Sequence, residues 1–509
     1  MRNRSLLGIT LELLREVASP GPYPADARVG RFFRERRYLG SRDRRFIGDA
    51  TFAWLRHHHR ARARWRIWAR ADRAEDRVDD AATGPGSANP AALSASPAAL
   101  SASSVPIDRI DDTHLLDLLA IAADGHFPWP LRVTVETVVE LLDDPERPPH
   151  DLVRRATQGG FPGDDAWPAD ATERFAAHAS LPLWIGRRTL EQYGEERGRR
   201  LADAFGQPAP VDLRVNLRRA TLEQARKSLC EQTGLAFEPT SYSPLGLRAP
   251  RRQNLTGTTA SRRGWIEVQD EGSQLAILCA DAGAGMTVID ACAGSGGKTL
   301  ALADIVLRAE EDTAHVTGAH KSRVVACNIE TTKLHELRRR ARDARLGDRI
   351  EYVRVGEDGD LAGFLPSAHL VFVDAPCSGL GTIRRNPELK MRWVETDLAR
   401  FGALQRSILA RFAPLVRPGG RLVYVTCSFL REECEDVAGA FEAAHPEFEP
   451  SPSYWASTRL PPIAIDGHRI RLDPLATETD AFFIASWRRS KATELDADSG
   501  GPGDTLRRA

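Results

Sequence analysis

The second half of the chain predicts a doubly wound α/β domain, preceded by a helical region and a small α+β region. Two patterns carry this reading. From Gln269 onward, short apolar runs alternate with helical stretches: MTVID (286–290), RVVACN (323–328), HLVFVDAP (369–376), RLVYVTCS (421–428) and FFIASW (482–487). Brief runs rich in β-branched residues, separated by helices, mark a parallel sheet covered on both faces. Before Gln269 the apolar residues instead recur at helical spacing, apart from VDLRVNL (211–217), which alternates as a strand does.

Length and composition set the outer bounds. A chain of 509 residues suggests about three domains at ~150 residues each. At 42% hydrophobic residues it has ample material for packed cores. No run of about 18 apolar residues is present, so no membrane span is expected. The first residues, MRNRSLLGITLELLREV, place Glu12 and Glu16 inside the apolar stripe and offer no small-residue cleavage site, so a secretory signal is not expected. Seven cysteines, an odd number, do not make a disulfide framework and suit a reducing, cytoplasmic location. Lys+Arg and Asp+Glu are both 70, which excludes a simple polycation. The charge is nevertheless segregated: residues 31–70 hold 13 Arg against 3 acids, and 331–349 hold 7 Lys/Arg against 3 acids.

Residues 1–80 read as helical, with Leu6, Leu7, Thr10, Leu13 and Leu14 on one stripe and a second helix running from about Asp43 through RRFIGDATFAWLRHHHR. Trp54, Trp65 and Trp68 lie among arginines and are expected to pack a small helical core. His57, His58 and His59 are consecutive, so a helix points them to different faces; they read as part of a polar face, not as metal ligands. Residues 81–105 are Ala/Ser/Pro/Gly-rich, a linker or insertion with nothing to bury. Helical patterning resumes over 106–175, a small α+β region follows over 176–268, the α/β domain spans 269–488, and 489–509 form a polar, disordered tail.

Four places at the ends of the expected strands carry chemistry, and strand ends are where ligands sit in such sheets. The first is DACAGSGGKTLALA (290–303), a Gly-rich turn opening a helix. A phosphate-binding P-loop requires glycine where Cys292 stands, which counts against a nucleotide hydrolase. The alternative is a methyl-donor loop. The second is Asn328, where a nucleoside-binding sheet normally places an acid for the ribose; Glu330 follows closely. The third is DAPCSGLGTIRRNPELKMRW (374–393), where Asp374 ends a buried strand, Cys377 lies beyond Pro376, and Arg384 and Arg385 suit phosphate contact. The fourth is YVTCSFLREECED (424–436), with Cys427 just past a strand end and before a helix. Two cysteines at the ends of two strands of one sheet are placed to face one pocket. Cys230, Cys279, Cys327 and Cys434 lack metal-ligand spacing and read as packing residues, so no metal is expected.

The segments DACAGSGGKT, VDAPCSGLGTIRRNPELKMRW and YVTCSFLREECED resemble the motifs of the RsmB/Sun family of RNA (cytosine-5)-methyltransferases, bacterial ribosomal RNA branch. GWIEVQDEGSQL (264–275), SLPLWIGRRTLEQYG (180–194), PAPVDLRVNLRRATLEQARKSL (208–229) and TETDAFFIASW (477–487) are similar to further parts of that family, and RERRYLGSRDRRFIGDATFAWLR (34–56) resembles its NusB-like helical domain. The pattern departs from the family in four places: CAGSGGK for the commoner CAAPGGK, Asn328 for an acid, Glu433-Cys434-Glu435 for Glu-Asn-Glu, and TDAFF for TDGFF. The stretch ADIVLRAEEDTAHVTGAHKS (303–322) looks lengthened, as a surface insertion.

The resemblance implies a Rossmann-like S-adenosylmethionine-dependent methyltransferase domain behind a NusB-like domain and an α+β RNA-binding region. It implies methylation of C5 of a cytidine in RNA, with small-subunit ribosomal RNA expected and transfer RNA the alternative. It makes Cys427 the nucleophile and Cys377 the residue assisting release, with Asp374 and Lys298 as further catalytic groups. S-adenosylmethionine would lie on Cys292, Ala293, Gly294, Ser295, Gly296, Gly297, Lys298, Asn328, Asp374 and either Glu357 or Asp358. Arg384 and Arg385 would contact RNA. A monomer without membrane partners is expected.

Overall fold

The structure is a computed structural model, described over residues 3–18, 23–81, 117–118, 121, 167–313, 321–356 and 361–491, side chains at 3–5, 65–81 and 362 excepted. The linker at 81–105, nearly all of the stretch read as a helical continuation, Trp65 and Trp68, Glu357 and Asp358, and the tail from 492 lie outside the described residues or side chains. So does part of the lengthened stretch, 314–320. Among the described residues no helix is long and apolar enough to cross a membrane.

The chain divides into two compact units, Met1–Pro208 with Thr382–Glu395, and Ala209–Gly381 with Thr396–Ala509. The first is helical: α1 (Asn3–Ala18), α2 (Ala25–Glu35), α3 (Ser41–Ala81), α4 (Ala171–His178) and α5 (Leu183–Gly206), the last kinked at Gly194 (φ 71°). The α1 stripe is buried as its spacing predicts, with Leu7, Leu13 and Leu14 fully enclosed against Phe32, Ile47 and Trp54. Trp54 is a core residue, and its indole N–H donates to Asp117 Oδ2 at 3.0 Å. The helix α5 lies in the stretch read as α+β, and its buried face includes Ile185, Leu201 and Phe205. The segment Thr382–Glu395 also belongs to this unit. Glu388 Oε1 accepts from the first-turn N–H of α2 (Ala25, 3.0 Å), one of the donors a helix start leaves open. Lys390 Nζ donates to the carbonyls of Arg56 (2.6 Å) and Ser180 (2.9 Å), and burial pushes its pKa down to about 7.

His58 corrects the polar-face reading of the three histidines. It is 1% exposed, stacks on Trp54 at 4.5 Å and shares a 3.1 Å contact with the Trp54 carbonyl. One helical turn separates the two rings, so the face that buries Trp54 buries His58 as well. Burial, then the charges of His59, Lys390 and Arg62, push its pKa well below 6.5. The folded state therefore holds fewer protons than the unfolded one below 6.5, and stability from neutral His58 is complete above that pH and lost as pH falls toward the folded pKa. Urea titrations of the full chain between pH 7.5 and 5.5 should show stability falling with acid. The slope should be shallower in His58→Phe by up to about 1.4 kcal/mol per pH unit; equal slopes would contradict this account.

The second unit begins with a four-stranded antiparallel sheet in the order β2-β3-β1-β4, formed by β1 (Val211–Val215), β2 (Glu238–Pro239), β3 (Gly246–Ala249) and β4 (Ile266–Val268). The helix α6 (Leu222–Thr233) packs on it through Ala225 and Leu229; a Thr221/Gln224 capping box starts it and left-handed Gly234 ends it. After α7 (Glu271–Leu278), a larger sheet is built from β5 (Thr287–Asp290), β6 (Arg323–Asn328), β7 (Ile350–Arg354), β8 (Ala368–Asp374), β9 (Val416–Thr426), β10 (Phe448–Pro450), β11 (Ile465–Asp466), β12 (Arg469–Leu472) and β13 (Phe482–Arg489). Its order is β11-β12-β13-β9-β8-β5-β6-β7, with β10 on β13. Strands β5 to β9 are parallel and β13 is antiparallel to β9.

Alternate residues of the parallel strands enter opposite cores. Val288, Val324, Leu370 and Val423 face one, while Ile289, Val325, Val371 and Leu422 face the other. Both faces are covered by helices, including α8 (Gly297–Asp312), α9 (Thr331–Asp343), α10 (Asp397–Phe412) and α11 (Glu435–Ala444), which explains why these strands read as unbroken apolar runs. Strand order reverses between β5 and β8, opening a crevice at their carboxyl ends.

Candidate active site

Each strand end at that crevice delivers a polar group. β5 ends at Asp290, which is 1% exposed; its Oδ2 accepts from Thr299 Oγ1 at 2.6 Å and its Oδ1 from the Cys292 N–H at 3.3 Å. Burial, against the hydrogen bond from Thr299, raises its pKa to about 7. Asp290 thus ties strand, turn and helix together, a role the sequence reading did not assign. The turn Cys292–Gly297 leads into α8 with Gly294 (φ 51°) and Gly296 (φ 92°) in left-handed conformations. A Cβ on Gly296 would lie 2.0 Å from Leu337, so only glycine fits there; above Gly294 a Cβ would meet nothing closer than 3.9 Å. Arg340 Nη1 donates to the Ser295 carbonyl at 2.5 Å, Ser295 Oγ donates to Glu336 at 2.8 Å, and the Ala293 N–H donates to the Cys327 carbonyl at 2.9 Å. Asn328 ends β6, and its Oδ1 accepts the Glu330 N–H at 2.8 Å.

The next two strands bring the cysteines together. Asp374 of β8 pairs in register with Val425 of β9, and the Ala375 N–H donates to the Val425 carbonyl at 2.9 Å. Cys377 and Cys427 follow these strand ends, and their sulfurs are 3.4 Å apart. Lys298 Nζ lies 2.7 Å from Asp374 Oδ2 and 5.5 Å from the centre of the Phe482 ring. Burial pulls the Lys298 pKa down, but the Asp374 carboxylate more than offsets it, and the net shift is upward, so the ammonium stays charged. The hydrogen-bonded Cys427 sulfur, then burial, push the Cys377 thiol well above the usual range. Gly381 closes this corner: its N–H donates to the Cys427 carbonyl (2.9 Å), and its own carbonyl accepts from Ala481 (2.9 Å). A Cβ there would stand 2.2 Å from the Ala481 oxygen.

Beneath the cysteines lies a cluster the motifs did not reveal. Glu433 is fully buried. Its Oε1 accepts from the Ser378 N–H (2.7 Å) and Gln405 Nε2 (3.2 Å), and its Oε2 from the hydroxyls of Ser378 (2.5 Å) and Ser428 (2.7 Å). One carboxyl group therefore clamps the residue after Cys377 to the residue after Cys427. The sequence signal was a glutamate in REECED, a charge run that reads equally well as solvated surface, standing where the resembled family has the first residue of Glu-Asn-Glu.

Of the remaining expected residues, Arg384 and Arg385 belong to the other compact unit, and the Arg384 side chain is 9% exposed. All seven cysteines are free thiols; Cys279, Cys327 and Cys434 are buried packing residues. No group of metal-ligating side chains occurs among the described residues.

Comparisons with known proteins agree with this architecture. The family described as 16S rRNA methyltransferase RsmB/F matches residues 278–488, and the RsmF/B-like ferredoxin-like domain matches 181–256. The probable ribosomal RNA small subunit methyltransferase B of Bacillus subtilis is 32% identical over 342 residues, 66% of this chain and 72% of its own length. The ribosomal RNA small subunit methyltransferase B of Vibrio cholerae is 28% identical over 340 residues, 66% and 74% of the two chains. Among solved structures, PH0851 is similar over 96% of this chain and 99% of its own, with 21% identity and a TM-score of 0.66. NSun6 from Pyrococcus horikoshii, solved with SFG, covers 60% of this chain and 97% of its own, with 16% identity and a TM-score of 0.50. These two likenesses speak to the fold.

Proposed function

The chain belongs to the RsmB/F family of 16S rRNA methyltransferases and is an RNA methyltransferase; from that premise we propose that it methylates C5 of a cytidine in small-subunit ribosomal RNA, through a transient bond between Cys427 and C6 of the base. The observation that carries this reading is the pair of sulfurs 3.4 Å apart at the ends of β8 and β9, beside the Lys298–Asp374 ion pair. The P-loop alternative is set aside by the family.

S-adenosylmethionine is the methyl donor of this proposal. The turn suits it: backbone at Gly294 is open to close approach, and Asp374 and Lys298 border the same strand ends. SFG, found with NSun6, is an analogue of that donor. Cys292 to Lys298, Asn328 and Asp374 would hold it, Asn328 offering the ribose a neutral acceptor. Bound there, the donor supplies an electrophilic methyl group.

The residues of this chain do the remaining work. C5 of cytosine is a poor nucleophile, and addition of the Cys427 thiolate to C6 makes an enamine whose C5 is a good one, dividing one hard step into easier ones. Asp374, oriented by Lys298, hydrogen-bonds the base near N3 and stabilises the adduct. After transfer, Cys377 assists removal of the C5 proton; the electrons of that C–H bond re-form C5=C6 as the C6–S bond breaks, returning the thiolate to Cys427. A paired base cannot enter such a pocket, so the target cytidine is unpaired or flipped out. We read the arginine-rich helical unit as a NusB-like RNA-binding part, and the protein as a cytoplasmic monomer.

Under turnover conditions with ribosomal RNA and S-adenosylmethionine, Cys377→Ala is expected to accumulate an RNA–protein adduct that survives denaturing electrophoresis, because methylation proceeds and release does not. A variant that methylates RNA without a shifted band would remove Cys377 from the release step. Bisulfite sequencing of ribosomal and transfer RNA from cells lacking the protein identifies the methylated cytidine; a change confined to transfer RNA would overturn the ribosomal assignment.

A further inference from the structure

We propose that Arg219, Arg263 and Arg345 form a docking surface for the phosphate backbone of the RNA substrate, separate from the cysteine site. This rests on the RNA-methylating reading above and adds a second point of contact to it. The three residues come from distant segments: the loop after β1, the turn before β4, and the C-terminal end of α9. Backbone contact holds these segments together, since a Cβ on Gly264 would lie 2.6 Å from the Asp343 carbonyl oxygen. Arg219 Nη2 reaches the Arg263 carbonyl at 3.5 Å, and the Arg263 guanidinium lies 5.4 Å from the centre of the Trp265 ring.

Several arginines nearby are paired with acids, while Arg338 lies over the Tyr352 ring and Arg262 donates to the Gly257 carbonyl. Arg218 pairs with Glu311 (2.6 Å), Arg340 with Glu267 (2.8 Å), Arg339 with Asp343 (3.3 Å) and Arg349 with Glu310 (3.1 Å). Arg219, Arg263 and Arg345 have no carboxylate partner among the described residues, and Arg219 Nε is a buried donor with no acceptor there. Burial, then the nearby charges of Arg345 and Arg218, lower the Arg219 pKa. The backbone adds a second sign. Arg345 sits at φ 56°, just past the end of α9, and its N–H and that of Leu346 turn back to Arg342 and Ala341. This left-handed position is normally glycine's. An arginine held there against backbone preference points to use of its side chain. Three forked donors without acids fit phosphate oxygens, and a polyanion relieves their mutual repulsion.

The test uses the full chain carrying Arg219→Gln, Arg263→Gln and Arg345→Gly together, the last change also relieving the backbone. Binding of a ribosomal RNA fragment is measured against KCl concentration, and S-adenosylmethionine binding by calorimetry. Loss of three phosphate contacts should weaken RNA binding about tenfold or more near 100 mM salt and reduce the slope of log K against log salt by about 2. Affinity for S-adenosylmethionine should stay within about twofold, which also shows that the variant is folded. An unchanged slope and affinity for RNA, while the wild type still methylates RNA, overturns the docking surface and leaves the enzyme reading intact. Retained RNA affinity together with lost binding of a polyglutamate peptide assigns the patch to an acidic protein and likewise overturns it. A wild-type protein that neither binds nor methylates RNA overturns both.

Discussion

Replacing Cys427 with serine is expected to reduce methyl transfer to ribosomal RNA by about 10⁴-fold or more, with the fold intact. Serine is nearly isosteric with cysteine, and the site asks little of this side chain structurally: Cys427 is half-buried, and Gly381 is held by its backbone carbonyl rather than its sulfur. The thermal midpoint should therefore change little. The chemistry asks far more, because a hydroxyl ionises much less readily than a thiol and the sulfur is the stronger nucleophile. Covalent nucleophiles whose role cannot be shared typically cost several orders of magnitude on removal. The neighbouring sulfur, 3.4 Å away in the wild type, does not substitute in this account, since burial still raises the pKa of its thiol once the Cys427 sulfur is gone. Incorporation of a labelled methyl group, compared at equal folded protein, decides the matter; activity within tenfold of wild type would move the nucleophile elsewhere.

A second large effect is expected at Glu433, which touches no reacting atom. Glu433→Ala deprives the Ser378 N–H, the Ser378 and Ser428 hydroxyls and Gln405 Nε2 of their common acceptor inside the protein. Buried donors left without partners cost about 1–3 kcal/mol each, so the loss should be roughly 3–5 kcal/mol after local relaxation. The two cysteine loops also lose the group that joins them, and a misplacement near 1 Å is enough for about a 10²-fold fall in kcat. Glu433→Gln separates the contributions. Its remaining oxygen can still accept from the rigid Ser378 N–H, while its amide donates to serine hydroxyls that can rotate to accept. The glutamine variant should therefore keep most of the stability, measured as the urea midpoint of the full chain, and more activity than the alanine variant. Equal loss in both would show that charge, not the hydrogen-bonded clamp, is what the position supplies.

Much of the large sheet was readable from one dimension, though not that its last strand, β13, runs antiparallel. The runs at 286–290, 323–328, 369–376, 421–428 and 482–487 are the strands β5, β6, β8, β9 and β13, because a strand buried on both faces must be apolar at nearly every position. β7 escaped notice for the opposite reason. It is an edge strand, and IEYVR carries two charged residues on its exposed positions. The short β10, β11 and β12 are too brief for any period to show. In the helical region, periodicity placed Trp54 in the core, yet composition assigned His58 to a polar face. A polar side chain is admitted to a core when a neighbouring ring and carbonyl receive it, and those neighbours are not apparent from residue type.

The sequence alone determined the inventory: a glycine turn after one strand, an aspartate and a cysteine at the end of a second, and a cysteine beyond a third, since these depend on local backbone requirements and on spacings of a few residues. Only the tertiary structure decided what meets what. The two sulfurs are 50 residues apart in the chain, Lys298 and Asp374 are 76 apart, and Glu433 reaches back 55 residues to Ser378. Such pairings follow from strand order and register, which are selected by the free energy of burying both faces of the whole sheet and leave no periodic trace near any one of the residues they bring together.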